Sequence, residues 1–256
     1  MIRKIVCICS MFLLVQFVFA QDSLMIKGNE YYKNGSYEAA IDSYTAVIDS
    51  GYESATLYYN LGNAYYQSHK LGKAILNYER AGLLNPHDED IQYNLELAKE
   101  KTVDEIESIP EFILVRGYFS FVRFLSIKTW GIISLCFFFI GVLFFIIFFL
   151  TAQFRLRKNT FWLGTLTIIL SLITFGFAFS HKQYLEHYDK AIIMDASVTA
   201  KSTPDDSGKN LFVIHEGTKV TVEDNLDNWK EITLPNGNQG WIKSSSVKMI
   251  RIQSQS

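Results

Sequence analysis

The chain has 256 residues, 49% hydrophobic and 20% charged, with a formal net charge of −2. That excludes a disordered chain, and the absence of a dense basic face excludes a protein that tracks nucleic-acid phosphates. Three cysteines, Cys7, Cys9 and Cys136, have neither CxxC nor Cys/His ligand spacing, which excludes a disulfide framework and a zinc site.

Composition is sharply segregated. Of 20 Phe, 16 lie between Phe112 and Phe179, and 11 of 14 Tyr lie between Tyr31 and Tyr93. Charge follows the same boundaries, with a net of −9 over residues 21–111, +6 over 112–190 and −1 over 191–256. Such a chain reads as a string of different modules. The acidic balance of the first long segment favours a basic partner surface.

Residues 1–20 read as a secretory signal peptide. Arg3 and Lys4 precede an apolar run from Ile5 to Phe19, and Val18-Phe19-Ala20 supplies a cleavage site before Gln21-Asp22. An uncleaved signal anchor is the alternative. Either way, residue 22 onward is expected outside the cytoplasm. A lipoprotein is excluded, because Cys7 and Cys9 lie inside the apolar run.

Residues 21–107 carry a repeat. Gly28/Gly62, Asn29/Asn63, Tyr31/Tyr65, Tyr32/Tyr66, Ala40/Ala74, Ile41/Ile75 and Tyr44/Tyr78 are identical pairs 34 places apart. That period predicts an all-α tetratricopeptide (TPR) superhelix, with repeats over 21–54 and 55–88 and a capping helix over 88–107. Small residues at Gly28/Gly62 and Ala40/Ala74 let antiparallel helices approach, and the tyrosines fill the space around them. Gly35-Ser36 and Gly72 are expected to mark the turns between the A and B helices of each repeat, and Asp88 to cap the third A-helix. That third A-helix has no matching B-helix.

The A-helices present a second stripe, Met25, Asn29 and Tyr32, repeated as Tyr59, Asn63 and Tyr66 and continued by Tyr93. Tyrosine and asparagine together offer flat apolar area and adaptable hydrogen bonds, suited to an extended or helical peptide. Asn29, Tyr32, Tyr59, Asn63, Tyr66 and Tyr93 are therefore the candidate partner-binding residues. The bland alternative is that these tyrosines only cover a helix surface. Met25 and Tyr59 stand where a basic clamp for a peptide carboxylate would place Lys, which does not fit chaperone-tail binding.

Residues 108–128 predict a cationic amphipathic helix, with Arg116, Ser120 and Arg123 on one stripe and phenylalanines and aliphatics elsewhere. It reads as an interfacial helix in the headgroup layer, with an ordinary extension of the next span as the alternative. Residues 129–154 and 159–180 contain no charged residue and would make helices about 39 Å and about 33 Å long, enough to cross a bilayer. Arg155-Leu156-Arg157-Lys158 then forms a short loop, expected on the cytoplasmic side, and residues 181–190 form a linker. The membrane is thus a two-helix hairpin with both large segments on its exported side.

Residues 191–252 change to short apolar runs separated by turns, which predicts a small closed or nearly closed all-β barrel. Val198-Thr199-Ala200-Lys201-Ser202, Pro204, Glu216-Gly217-Thr218-Lys219-Val220, Trp229, Gly240-Trp241-Ile242 and Val247 resemble bacterial SH3-like (SH3b) domains. Trp241 is assigned to the core; Trp229 is either core or a rim contact. The resemblance implies binding of cell-wall peptides or protein segments.

Chemistry is scarce. The five histidines, His69, His87, His181, His187 and His215, have no metal-ligand spacing, and HExxH, GxSxG, Walker and dinucleotide motifs are missing. Neither an enzyme nor a cofactor is expected. Leu57 to Tyr66, Gly72-Lys73-Ala74-Ile75, Tyr78-Glu79-Arg80-Ala81 and Leu211 to Val220, in the order signal peptide, TPR, membrane hairpin, SH3b, resemble the BatE family of aerotolerance (Bat) operon proteins. The resemblance implies a non-catalytic, multi-pass scaffold of the bacterial inner membrane with TPR and SH3b on the periplasmic side. It implies as partners the von Willebrand factor A (VWA) Bat proteins and, indirectly, a MoxR-type AAA+ ATPase, in stress tolerance. An envelope sensor binding peptidoglycan through the SH3b domain is the other reading.

Overall fold

The computed structural model describes residues 23–106 and 112–251. The signal peptide assigned to residues 1–20 lies outside them. The described residues fall into two compact units, 23–106 with 188–251, and 112–187.

The first unit begins with five helices: α1 (residues 23–33), α2 (Tyr37–Asp49), α3 (Ala55–Gln67), α4 (Leu71–Leu84) and α5 (Glu89–Lys99). The 34-residue period governs their ends. The A-helices α3 and α5 are capped by side chains, Leu57 N donating to Ser54 Oγ and Ile91 N to Asp88 Oδ1, both at 3.2 Å. The B-helices α2 and α4 start at Ser36 and Lys70 without a side-chain cap. Gly28 and Gly62 are small because a tyrosine fills their Cβ space. A Cβ on Gly28 would lie 2.5 Å from Tyr44 Cε1, and one on Gly62 2.7 Å from Tyr78 Cδ1.

One of the expected turn residues is reassigned. Each A-to-B turn needs a residue in the left-handed region. Gly35 supplies it at φ +74°, but its counterpart is His69 at φ +57°, not Gly72. Gly72 lies inside α4, where a Cβ would meet Glu216 Cγ at 2.8 Å and the Ile193 carbonyl at 3.1 Å. It serves a contact, not a turn.

The same unit closes with an antiparallel sheet: β1 (Lys190–Ile193), β2 (Ser197–Lys201), β3 (Asn210–His215), β4 (Lys219–Leu226), β5 (Trp229–Thr233), β6 (Gln239–Lys243) and β7 (Val247–Met249). Strand alternation sends Val198, Ala200, Val220, Val222, Ile232 and Ile242 into one buried cluster. The strand order is β3-β2-β6-β5-β4-β1-β7. β3 and β7 stand at the two ends of this order and do not pair with each other, so the barrel expected at residues 191–252 is not closed. Between β2 and β6 the only aligned pair is Lys201↔Trp241, next to a register shift at Ala200/Lys201. Trp241 is also corrected. Gly240 and Ile242 are buried, and the pleat turns the half-buried Trp241 to the opposite face.

The second unit holds α6 (Ile113–Arg123), α7 (Ile127–Leu150) and α8 (Phe154–Glu186). The hairpin turn lies at residues 151–153, so Arg155, Arg157 and Lys158 belong to the first turns of α8 and not to the loop assigned to 155–158. The 181–190 linker contracts to residues 187–189, because α8 continues to Glu186. α7 and α8 are each long and apolar enough to cross a membrane. Their polarity runs inside-out. Ser134, Gly141, Gly164, Ser171 and Thr174 are buried, while Phe139, Leu143, Leu172 and Phe175 are exposed. Ser134 Oγ donates to the Ser171 carbonyl and Ser171 Oγ to the Ser134 carbonyl, each at 2.9 Å. α6 folds back on this pair through the buried Val122, whose carbonyl accepts from Trp130 Nε1 at 2.8 Å.

Candidate partner-binding surface

The 34-residue repeat builds a hydrogen-bond ladder across the A-helices. Asn29 Oδ1 accepts from Tyr44 OH at 2.8 Å and from Asn60 Nδ2 at 3.1 Å. One repeat later, Asn63 Oδ1 accepts from Tyr78 OH at 2.7 Å and from Asn94 Nδ2 at 2.9 Å. Each rung ties the A-helix of one repeat to its own B-helix and to the next A-helix. The buried tyrosines thereby satisfy their hydroxyls. Burial, with Tyr32 nearby, pushes the Tyr44 phenol up to about 12, and burial raises that of Tyr78 further still. Both are neutral donors at any physiological pH.

A cleft of about 240 Å³ opens beside the first rung, lined by Asn29, Tyr32, Lys33, Tyr44, Asn60 and Asn63. Three of the sequence-predicted residues, Asn29, Tyr32 and Asn63, therefore meet in one place. Tyr32 is half-buried, with its ring 5.4 Å from Tyr37. The other three do not line the cleft. Tyr59 OH accepts from Asn94 Nδ2 at 3.0 Å, and its ring lies 6.1 Å from Tyr78. Tyr66 lies under Lys101 Nζ, 4.4 Å from the ring centroid. Tyr93 is 67% exposed. Trp229 is half-buried on β5, with Lys243 Nζ 5.6 Å from its ring.

Sequence reasoning missed Lys33, Asn60 and Tyr44 as cleft residues. The signal was present for Asn60. It stands 34 residues before Asn94, an identical pair at the repeat period itself, and the two asparagines fill matching places in the two rungs.

Two acidic side chains in the unit have unusual surroundings. Burial opposes the charge of Glu79, but Lys219 Nζ at 2.6 Å and Lys99 Nζ at 2.8 Å more than offset it and hold its carboxyl at about 2. Asp104 accepts from Thr218 Oγ1 and His215 N, both at 2.6 Å, and pairs with His215 Nδ1 at 2.8 Å. Burial would raise its carboxyl; these hydrogen bonds hold it below the usual carboxylate range. Neither carboxylate lines the cleft; Glu79 joins α4 to the sheet, and Asp104 joins the segment after α5 to it. Among the described residues no three His, Cys, Asp or Glu side chains form a group that could hold a metal ion.

Comparison with known families gives the same picture of the helical region. A family described as TPR repeat matches residues 28–69, and one described as tetratricopeptide repeat matches residues 55–88. The chain thus contains TPR repeats, which are protein–protein interaction modules and typically non-catalytic. No curated protein matches the chain.

Proposed function

We propose that this protein is a non-catalytic, membrane-anchored scaffold whose TPR cleft holds an extended segment of a protein partner. The cleft beside the asparagine ladder carries this reading. The side-chain oxygens of Asn29 and Asn63 are each occupied by two protein donors. What these residues have left for a ligand is their NH2 groups, which suit peptide carbonyls. Tyr32 adds flat apolar area beside them, and Lys33 adds a positive charge.

The anchor is the α7–α8 hairpin. Helices with small polar residues inside and large apolar residues outside suit lipid, where interfaces are built from close packing and hydrogen bonds. With the signal peptide read from residues 1–20, both large modules stand on the exported side of a bacterial inner membrane. α6, with Phe112, Ile113, Leu114 and Phe124 exposed, lies in the headgroup layer. The BatE resemblance points to VWA-domain Bat membrane proteins as the partners, linked to a MoxR-type ATPase.

The test is a tagged full-length pull-down from native membranes in mild detergent, read by mass spectrometry, with Lys33→Glu alongside. Lys33 is exposed and lines the cleft, so this change alters the cleft without touching the ladder. Recovery of VWA-domain membrane proteins by the wild type and their loss with Lys33→Glu is the expected result. Equal recovery by both overturns the cleft. Recovery of only cell-wall material overturns the scaffold and favours the peptidoglycan sensor.

A further inference from the structure

We propose that the β-sheet module is a built-in cap of the TPR stack: it takes the covering role of the B-helix that the third repeat lacks, and the TPR helices depend on it for their stability. Among the described residues the repeats comprise three A-helices, α1, α3 and α5, and two B-helices, α2 and α4. α5 is left without its own B-helix, and α4 without the following repeat that would cover its far side.

The structure fills that gap with the sheet. Gly72 N, in the first turn of α4, donates to Glu216 Oε1 at 2.8 Å. Glu79, 7% exposed, binds Lys219 of β4 at 2.6 Å and Lys99 of α5 at 2.8 Å, so one carboxylate ties α4, α5 and the sheet together. Arg80 Nη2 donates to the Met249 carbonyl at 3.1 Å. Beyond α5, Asp104 takes three contacts from His215 and Thr218, and Ile106 packs against the core of the sheet.

The fit is close as well as polar. Gly217 sits at φ +88°, and a Cβ there would lie 2.7 Å from Thr102 Cγ2 and 2.8 Å from Ile75 Cδ1. The turn between β3 and β4 needs glycine for its left-handed backbone, and the approach of Ile75 and Thr102 leaves no room for a Cβ there. Contacts at Gly72, Ile75, Glu79 and Arg80 follow i, i+3, i+7 and i+8, one face of α4. A loosely tethered neighbour would need neither a cleared Cβ nor a carboxylate shared by three elements.

The measurement is amide hydrogen exchange on the full-length protein in detergent, comparing wild type with Gly217→Val and Lys219→Met. Val213→Ser, on an exposed position of β3, is the control. If the sheet caps the stack, both interface variants raise exchange in α4 and α5 at least tenfold, though the changes lie more than 100 residues away in sequence, and Val213→Ser does not. If Gly217→Val does not accumulate as folded protein, Lys219→Met alone decides, with the same direction and a smaller increase. Loosening of the sheet while α4 and α5 keep wild-type protection overturns the proposal. The outcome is independent of the partner pull-down, since it reads no ligand.

Discussion

The two B-helices share a stripe of identical residues and differ on one face. α2 buries Ala40, Ile41, Tyr44 and Val47, a single stripe packed with residues of α1 and α3. α4 buries nine of its fourteen residues, Gly72, Ala74, Ile75, Leu76, Asn77, Tyr78, Glu79, Ala81 and Leu83, which encircle it. The shared stripe is unchanged between them at Ala40/Ala74, Ile41/Ile75 and Tyr44/Tyr78. On the other face, Glu38, Asp42 and Thr45 of α2 stand where α4 has Gly72, Leu76 and Glu79. Glu38 answers Lys70 at 2.7 Å on the surface, whereas Gly72 and Glu79 answer the sheet. Gly72, Glu79 and Arg80, which escape the repeat, mark the contact with the sheet, while Ile75 keeps its repeat identity and also reaches the turn at Gly217.

The strongest way to break this comparison is at its charged centre. Glu79→Ala leaves two partly exposed lysines without their shared anion and should cost about 1.5–3 kcal/mol. Thr45→Ala, at the matching position of α2, should cost less than about 1 kcal/mol. Denaturant midpoints of the full chain compare the two. Acid sharpens the point. The Glu79 carboxyl is held at about 2, below its ordinary value of 4.5. Its contribution is therefore present above pH 4.5 and is lost as pH falls towards 2. Glu79→Gln should remove that share of the acid-induced loss. An unchanged pH profile in that variant would show that Glu79 does not carry it.

Next in size are the two glycine contacts inside the repeats. Gly62→Ala and Gly28→Ala each drive a methyl group into a buried tyrosine and should cost about 1–3 kcal/mol. The cost should be larger at Gly62. α4 is covered on two faces and cannot retreat, whereas α2 has a solvent face and can. Equal shifts in Tm would remove rigidity of α4 as a distinction between the repeats. Below these stands the ladder. Asn29→Ala and Asn63→Ala each strand a buried tyrosine hydroxyl and should cost about 1–2 kcal/mol, by similar amounts, because the two rungs have the same partners. Chemical denaturation of each variant reads this directly.

These contrasts also say how far the amino-acid sequence could be read. The helical repeat was legible because identical residues recur at a fixed spacing, and Ala40/Ala74 with Tyr44/Tyr78 are core pairs whose packing forces that recurrence. The strands were legible as short apolar runs between turns, except β7. Its three residues, Val247–Met249, are too few to show a period. The candidate cleft was half legible. Asn29, Tyr32 and Asn63 lie in one stripe of the repeat and Asn60 recurs at the same period as Asn94, but Lys33, with Gln67 at its repeat position, enters only when the helices are assembled. The docking of helices on sheet was not legible at all. Gly72 carries a turn signal and Asp104 reads as part of a solvated helix face, until residues more than 100 positions later in the chain arrive beside them. No local pattern encodes a contact at that separation.

The smallest expected effect tests the point at which the second repeat departs from the first in backbone alone. The A-to-B turns share their hydrogen bonds, Gly35 N to the Tyr32 carbonyl and His69 N to the Tyr66 carbonyl, followed by Ser36 N to Tyr31 and Lys70 N to Tyr65. Both turns require the left-handed region, yet only the first has glycine there. An L-residue with a Cβ costs about 1–2 kcal/mol in that region. Glycine relieves the strain but loses about 0.5–1 kcal/mol through the greater freedom of the unfolded chain. His69 is exposed, so no packing is lost on replacement. His69→Gly should therefore stabilise the protein by about 0.5 kcal/mol, and Gly35→His should destabilise it by a similar amount. Opposite shifts of the unfolding midpoint in this pair would show that the turn, and not the side chain, sets the preference. A loss of stability with His69→Gly would instead mean that the imidazole makes a favourable contribution in the folded state that outweighs its backbone strain.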